Sequence, residues 1–183
     1  MKSVLISIQP KWCELIASGK KTIEVRKTKP KLETPFKVYI YATKSGDRLV
    51  LKSDKVFEIS RAITGKVIGE FVCDEIECFT TDYRADKEQT ERISKQSCVS
   101  WHGMAEYEYN SHCLYGWHIS NLVIYDKPRE LGEFRKECKL ECDMRSLKEP
   151  PCEKCEHLVA SFGCGRTITK PPQSWCYVEE CEG

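Results

Sequence analysis

Gly19-Lys20-Lys21-Thr22-Ile23-Glu24-Val25-Arg26 is the stretch whose reading decides the fold. It follows a short apolar segment, Val4-Leu5-Ile6-Ser7-Ile8, and a helical pattern that opens at Pro10. Side chains alternate across a strand, so Thr22, Glu24 and Arg26 are expected on one face and Ile23 and Val25 on the other. One strand would then anchor a core and present a row of charge, with Lys21 at the mouth left by Gly19. Proline is favoured at the first helical position, where its missing N–H costs nothing. Trp12, Leu15 and Ile16 follow at helical spacing, and Gly19 is placed to stop the helix.

Working outward, Phe36 to Ala42 alternates as a half-buried strand does, after a basic loop from Lys27 to Pro35. Residues 43–65 are polar around Leu49-Val50-Leu51 and predict an extended hairpin or loop. Lys66 to Cys78 is expected as one strand with Gly69 at a bulge or tight bend. Ala85 to Lys95 predicts a polar helix. A loop rich in His, Tyr and Asn then leads into a strand over Gly116–Tyr125, closed by Asp126-Lys127-Pro128, with a helical turn over Leu131–Arg135. Ser174-Trp175-Cys176-Tyr177-Val178 returns to strand composition after a cysteine-rich stretch, so the chain is expected to come back and supply a closing strand.

The 183 residues fit one domain or one domain with an appendage, and 40% hydrophobic against 31% charged residues describes a globular chain. No apolar run has the length of a membrane span, and the N-terminal apolar segment is strand-length and followed by Pro10, unlike a signal peptide. The twelve cysteines are therefore expected in a reducing, cytoplasmic setting as thiols or metal ligands and not as a disulfide framework. Net charge is +1, but residues 1–55 carry thirteen Lys/Arg against five Asp/Glu and the remainder sixteen against twenty-three. A basic N-terminal third suits a polyanion.

Several segments together resemble a known family. They are Gln9-Pro10 with Leu15-Ile16, the Gly19-x-Lys21-Thr22-x-Glu24-x-Arg26 run, Val38-Tyr39-Ile40-Tyr41, and Gly65-Lys66-Val67-Ile68-Gly69-Glu70-Phe71. Tyr115-Gly116-Trp117-His118-Ile119 and Asp126-Lys127-Pro128 complete the set. In this order they look like the ASCH domain of the PUA-like superfamily. The resemblance covers roughly residues 3–134 and the final strand. It implies an α+β fold, a small PUA-like mixed β-barrel with peripheral helices, built from residues 1–137 plus 166–183. Residues 138–165 form a cysteine-rich excursion before the last strand. It also implies RNA or a modified nucleotide as ligand, in a cleft lined by the Gly-x-Lys-x-x-Glu-x-Arg motif.

Within that cleft Lys21, Glu24 and Arg26 are the expected ligand-binding residues, with Lys11, Lys20, Lys27 and Lys29 as phosphate contacts. Arginine offers a planar fork of donors and lysine a compact charge. Some ASCH proteins are amidohydrolases that deacylate N4-acetylcytidine with the motif lysine, a threonine three residues on and a distal glutamate. Lys21 matches the lysine, but Glu24 stands where the threonine would be, and Thr22 is out of register by two residues. Binding is accordingly the expected activity and deacylation the alternative. For the latter, Lys21, Glu24 and Glu70 are the candidate catalytic groups. Trp12, Tyr39, Tyr41, Trp101, Tyr107, Tyr109, Trp117 and Trp175 are the candidates for a platform on which an unpaired base stacks. Of these, Trp12, Trp117 and Trp175 are expected in the core, and Trp101 in a loop as a lid over the ligand.

The cysteines divide into two sets. Cys138-x-x-x-Cys142 and Cys152-x-x-Cys155 form two close pairs separated by nine residues, and four thiolates suit tetrahedral zinc. His157 and Cys164 are spare ligands. A 28-residue segment with almost no periodicity needs such a staple. Cys13, Cys73, Cys78 and Cys176 fall inside elements and are expected as small buried hydrophobes.

Overall fold

The computed structural model describes residues 2–44, 49–52, 57–60, 63–82, 85–136 and 166–180. Elements run β1 (Lys2–Ile8), α1 (Pro10–Ala17), β2 (Ile23–Arg26), β3 (Phe36–Ala42), β4 (Leu49–Lys52), β5 (Phe57–Ser60), β6 (Val67–Cys73) and β7 (Ile76–Phe79). They continue with α2 (Lys87–Ser97), α3 (Trp101–Glu108), β8 (Leu114–His118), β9 (Ser120–Arg129), β10 (Arg135–Lys136), β11 (Arg166–Thr167) and β12 (Trp175–Glu179). The cysteine-rich stretch 138–165, with Cys138, Cys142, Cys152 and Cys155, lies outside the described residues.

The fold is α+β, built on two main sheets. A five-stranded sheet has the order β12-β1-β3-β6-β9, and a three-stranded sheet the order β2-β8-β7. These strands do not close into the single barrel expected from the sequence. The reason lies where the chain changes sheets. The expected strand over Lys66–Cys78 breaks at Asp74-Glu75, so β6 joins the large sheet and β7 the small one. The expected strand over Gly116–Tyr125 breaks at Ile119 into β8 and β9 in the same way. His118 N donates to Glu75 O at 3.0 Å and Ile119 N to Thr22 O at 2.9 Å, so both breaks are held to each other and to the entry of β2.

Alternation along the strands fills three apolar layers. Val4, Ile6, Ile8, Val38, Ile40 and Phe71 meet Trp117 between the two sheets. Leu5, Tyr39, Val67 and Val178 on the other face of the large sheet meet Leu131, Phe134 and Ile168. Ile23 and Val25 pack with Phe79 and Leu114 against Ile93 of α2 and Met104 of α3. Each fully buried aliphatic or phenyl side chain contributes about 1.5–3 kcal/mol relative to exposure. β1 is the hinge of this arrangement. It pairs parallel with β3, as the intervening α1 and β2 allow, and antiparallel with β12, with Val4 opposite Tyr177 and Lys2 opposite Glu179. The returning strand expected from the sequence is thus present.

Gly69 sits where β6 and β9 fall out of regular register. A Cβ there would lie 2.4 Å from Val123 O, so only glycine lets the two backbones approach. The polar helix is present as α2, capped by Asp86, whose side chain accepts from Gln89 N. The loop expected to hold Trp101 is instead helix α3, started by the Ser100 side chain accepting from Gly103 N. Cys13 and Cys73 are buried and Cys176 half-buried, but Cys78 is exposed at the outer face of β7, contrary to expectation.

Candidate functional site

The turn from α1 into β2 builds the site. Leu15 O accepts from both Lys20 N and Lys21 N at 2.9 Å, and Gly19 takes φ +70° to let the chain reverse. That left-handed turn is open to glycine without a Cβ clash. Lys21 is thereby folded back into the molecule, and β2 follows with all four residues buried. Ile23 and Val25 serve the helix-side core, whereas Glu24 and Arg26 share the opposite face with their cross-strand partners Trp117 and Tyr115. The predicted alternation holds for these four residues. Thr22 is exposed.

On that face the charges form a closed row. Glu24 Oε2 lies 3.2 Å from Lys21 Nζ, and Glu24 Oε1 lies 3.0 Å from Arg26 Nη2. Each cation also reaches a backbone carbonyl on a different element. Lys21 Nζ donates to Ser97 O at 2.7 Å, at the C-terminus of α2, where the helix dipole favours a cation. Arg26 Nη2 donates to Ser7 O on β1 at 2.6 Å. Lys21 is 2% exposed, Glu24 6% and Arg26 9%, so the row is desolvated and not the solvated ion-pair ladder such residues usually form. Arg26 Nε has no hydrogen-bond partner among the described residues.

The row lines a cavity of about 510 Å³, within the span of small-molecule sites (~300–1,000 Å³). Gln9, Lys11 and Trp12 of the β1–α1 corner form one wall, and Gly103, Met104 and Tyr107 of α3 another. Gln173 arrives from the segment before β12. Trp12 lies over Lys21, with Nζ 5.1 Å from its ring centroid, and Lys11 covers the same ring at 4.7 Å. Trp12 therefore divides its surface between the inter-sheet core and the cavity, whereas Trp117 is wholly in the core and Trp175 packs against it at a tilt of 57°, 5.9 Å between ring centroids.

Of the residues singled out from sequence, Lys11, Lys21, Glu24 and Arg26 meet at this cavity. Lys27 stands just outside it. Its Nζ donates to Tyr109 O at 3.0 Å and lies 5.2 Å from the Tyr107 ring centroid. Lys29 is exposed over Tyr115 at 5.5 Å. Lys20 is exposed at the α1–β2 turn and does not line the cavity. Glu70 is not brought to the site. It sits on β6 opposite Tyr39, bonded to Tyr125 Oη and to Lys37 Nζ at 3.2 Å. Trp101 lines a different cavity of about 560 Å³ with Thr81, Lys87 and Lys95. Sequence reasoning held Tyr107 only within a wider set of aromatic residues, and it missed Gln9, Gln173 and the carbonyls of Ser7 and Ser97 as parts of the site. The carbonyls carry no side-chain signal, and Gln173 comes from a distant segment.

No group of three or more His, Cys, Asp or Glu arranged to hold a metal occurs among the described residues. Cys13 of α1 bonds Ile8 O, and burial followed by the Glu24 charge pushes its thiol up, away from reactivity.

Two sheets thus meet at a strand-and-helix corner where the Lys-Glu-Arg row is buried. The chain belongs to the ASCH domain family, which matches over residues 6–128. Among solved structures it is similar to the crystal structure of ASCH from Zymomonas mobilis, with 17% identity, a TM-score of 0.56, and coverage of 97% of this chain and 88% of that one. A tyrosine-to-phenylalanine mutant of that protein is similar at 17% identity and TM-score 0.56, with coverage of 98% and 92%. At this identity the likeness carries the fold alone. No curated protein matches the chain.

Proposed function

We propose that this domain binds RNA or a modified nucleotide in the cavity beside β2. One observation carries the reading: three ionised side chains, each less than one-tenth exposed, line an open cavity and are not sealed within the core. Lys11, Lys21 and Arg26 against Glu24 give the lining an excess of positive charge, which suits a phosphate. Trp12 and Tyr107 offer ring faces to a base. Membership of a family regarded as RNA-associated, and the basic N-terminal third of the chain, support the same ligand class.

Deacylation of an N4-acylated cytidine is the weaker reading. Both oxygens of Glu24 are engaged by cations, and Glu70, the distal carboxylate candidate, belongs to another face of the large sheet. A carboxylate 3.2 Å from Lys21 Nζ is the opposite of the surroundings that free an amine for attack.

Titration of single-stranded RNA at several salt concentrations tests the proposal. Affinity should fall with salt at a log–log slope of about −0.7 for each phosphate neutralised. Lys11→Ala, at an exposed position, should reduce the slope by one such unit, and Arg26→Ala should weaken binding about 10- to 100-fold through loss of a charged hydrogen bond. Salt-independent binding, or none to any RNA, refutes it. Incubation with N4-acetylcytidine should release no cytidine; turnover abolished by Lys21→Ala would reverse the ranking of the two readings.

A further inference from the structure

The large hydrophobic side chains most exposed among the described residues are Trp101, Tyr107, Tyr109 and Val123. Three belong to α3 or its C-cap, and two of those, Tyr107 at 40% exposure and Tyr109 at 75%, lie at the end of the helix that borders the nucleotide cavity. Tyr107 and Tyr109 are joined through Lys27, which lies by the ring of the first and bonds the carbonyl of the second. Tyr107 is both a cavity wall and an exposed ring, so the aromatic surface is continuous from inside to outside.

Charge follows the same route. β2 carries Arg26 into the cavity, and the next residue, Lys27, turns outward to hold the Tyr109 carbonyl and cover the Tyr107 ring. Lys29 then lies over Tyr115. Cations beside ring faces just outside a nucleotide-sized cavity match the alternation of phosphate and base along a single strand. A free nucleoside would leave this surface unused, whereas a single strand would use its rings and its cations together.

We propose that Tyr107, Tyr109 and Lys27 form a stacking platform for the nucleotide adjoining the one held in the cavity, so that the ligand is a single-stranded oligonucleotide. This rests on the cavity reading above and adds a second subsite to it. Tyr109 and Lys27 belong to the outer subsite alone, whereas Tyr107 serves both.

The test compares a mixed-sequence single-stranded RNA hexamer with cytidine monophosphate, by calorimetry or fluorescence anisotropy. The hexamer should bind wild-type protein at least about tenfold more tightly, one stacked base contributing a factor of that order. Tyr109→Ala should lose about that factor for the hexamer and leave the monophosphate within twofold, while Tyr109→Phe should restore it. Tyr109 is exposed, so these variants keep the fold, which circular dichroism would verify. Hexamer affinity untouched by Tyr109→Ala, or no tighter than that of the monophosphate, overturns the platform and leaves the cavity reading intact. Failure of both ligands to bind wild-type protein overturns the cavity reading and the platform with it. Self-association lost in Tyr109→Ala, with RNA affinity unchanged, would mark the surface as a contact between copies and likewise overturn the proposal.

Discussion

Replacing Glu24 with alanine probes the site most directly. The carboxylate is the common partner of Lys21 at 3.2 Å and Arg26 at 3.0 Å, and all three side chains are buried. Its removal leaves two cations facing each other across ~8 Å or less, a repulsion of about 2 kcal/mol at an effective dielectric of about 20. Each cation keeps one carbonyl partner, Ser97 O or Ser7 O, but loses its countercharge. Breaking a buried charge group in this way costs about 3–5 kcal/mol. For a chain of this length that corresponds to a fall in melting temperature on the order of 10 °C. Calorimetry at pH 7 reads it. Lys21→Met placed in the Glu24→Ala background should recover part of the loss, because it removes one of the two like charges. Unchanged melting of Glu24→Ala would refute the reasoning, since it would mean that water already screens the row.

Three other outcomes are expected. Glu77 bonds Arg92, Gln89 and His118, and the Arg92 guanidinium first among them holds its carboxyl down to about 2. A depressed carboxylate contributes stability above its unfolded value of about 4.5 and loses it as pH falls toward 2, so Glu77→Gln should flatten the acid limb of a stability–pH profile over that window. An unaltered limb would contradict the assignment. Gly69→Ala should destabilise by about 1–3 kcal/mol in urea denaturation, because its Cβ meets a backbone oxygen that cannot yield without moving β9. The Cys138, Cys142, Cys152 and Cys155 spacing leads us to propose a structural zinc, so protein purified without chelator should carry about one zinc per chain by elemental analysis; metal-free protein would refute it.

The N-terminal corner was legible because local signals agreed there. Pro10 opens α1, Gly19 ends it, and alternation sorts Ile23 and Val25 from Glu24 and Arg26. Phe36–Ala42 and the closing strand were readable for the same reason. The breaks at Asp74-Glu75 and Ile119 were not, since residues on both sides have strand composition and only long-range pairing decides which sheet each half joins. Helix α3 was hidden by Gly103 and by its mixture of aromatic and charged residues. The Ser100 cap was its one local sign, and Glu108, turned inward to accept from Thr81 N at 2.7 Å, fixes it from a distance. At the site, the residue types were visible but their burial was not, because desolvation of the Lys-Glu-Arg row depends on α2, α3 and β1 closing around it.

The pairing of β1 with β12 couples the charged row to a segment distant in sequence. Ser7, whose carbonyl receives Arg26, is tied through its hydroxyl to Pro172 at 2.6 Å and through its N–H to Ser174 at 2.9 Å. Until the distant strand arrives, β1 is an apolar edge with unmet backbone groups, open to pairing with another chain. The cavity beside β2 is likewise incomplete without that segment, because Gln173 comes with it. A molecule with β12 undocked would therefore lack both the cover over β1 and the complete cavity.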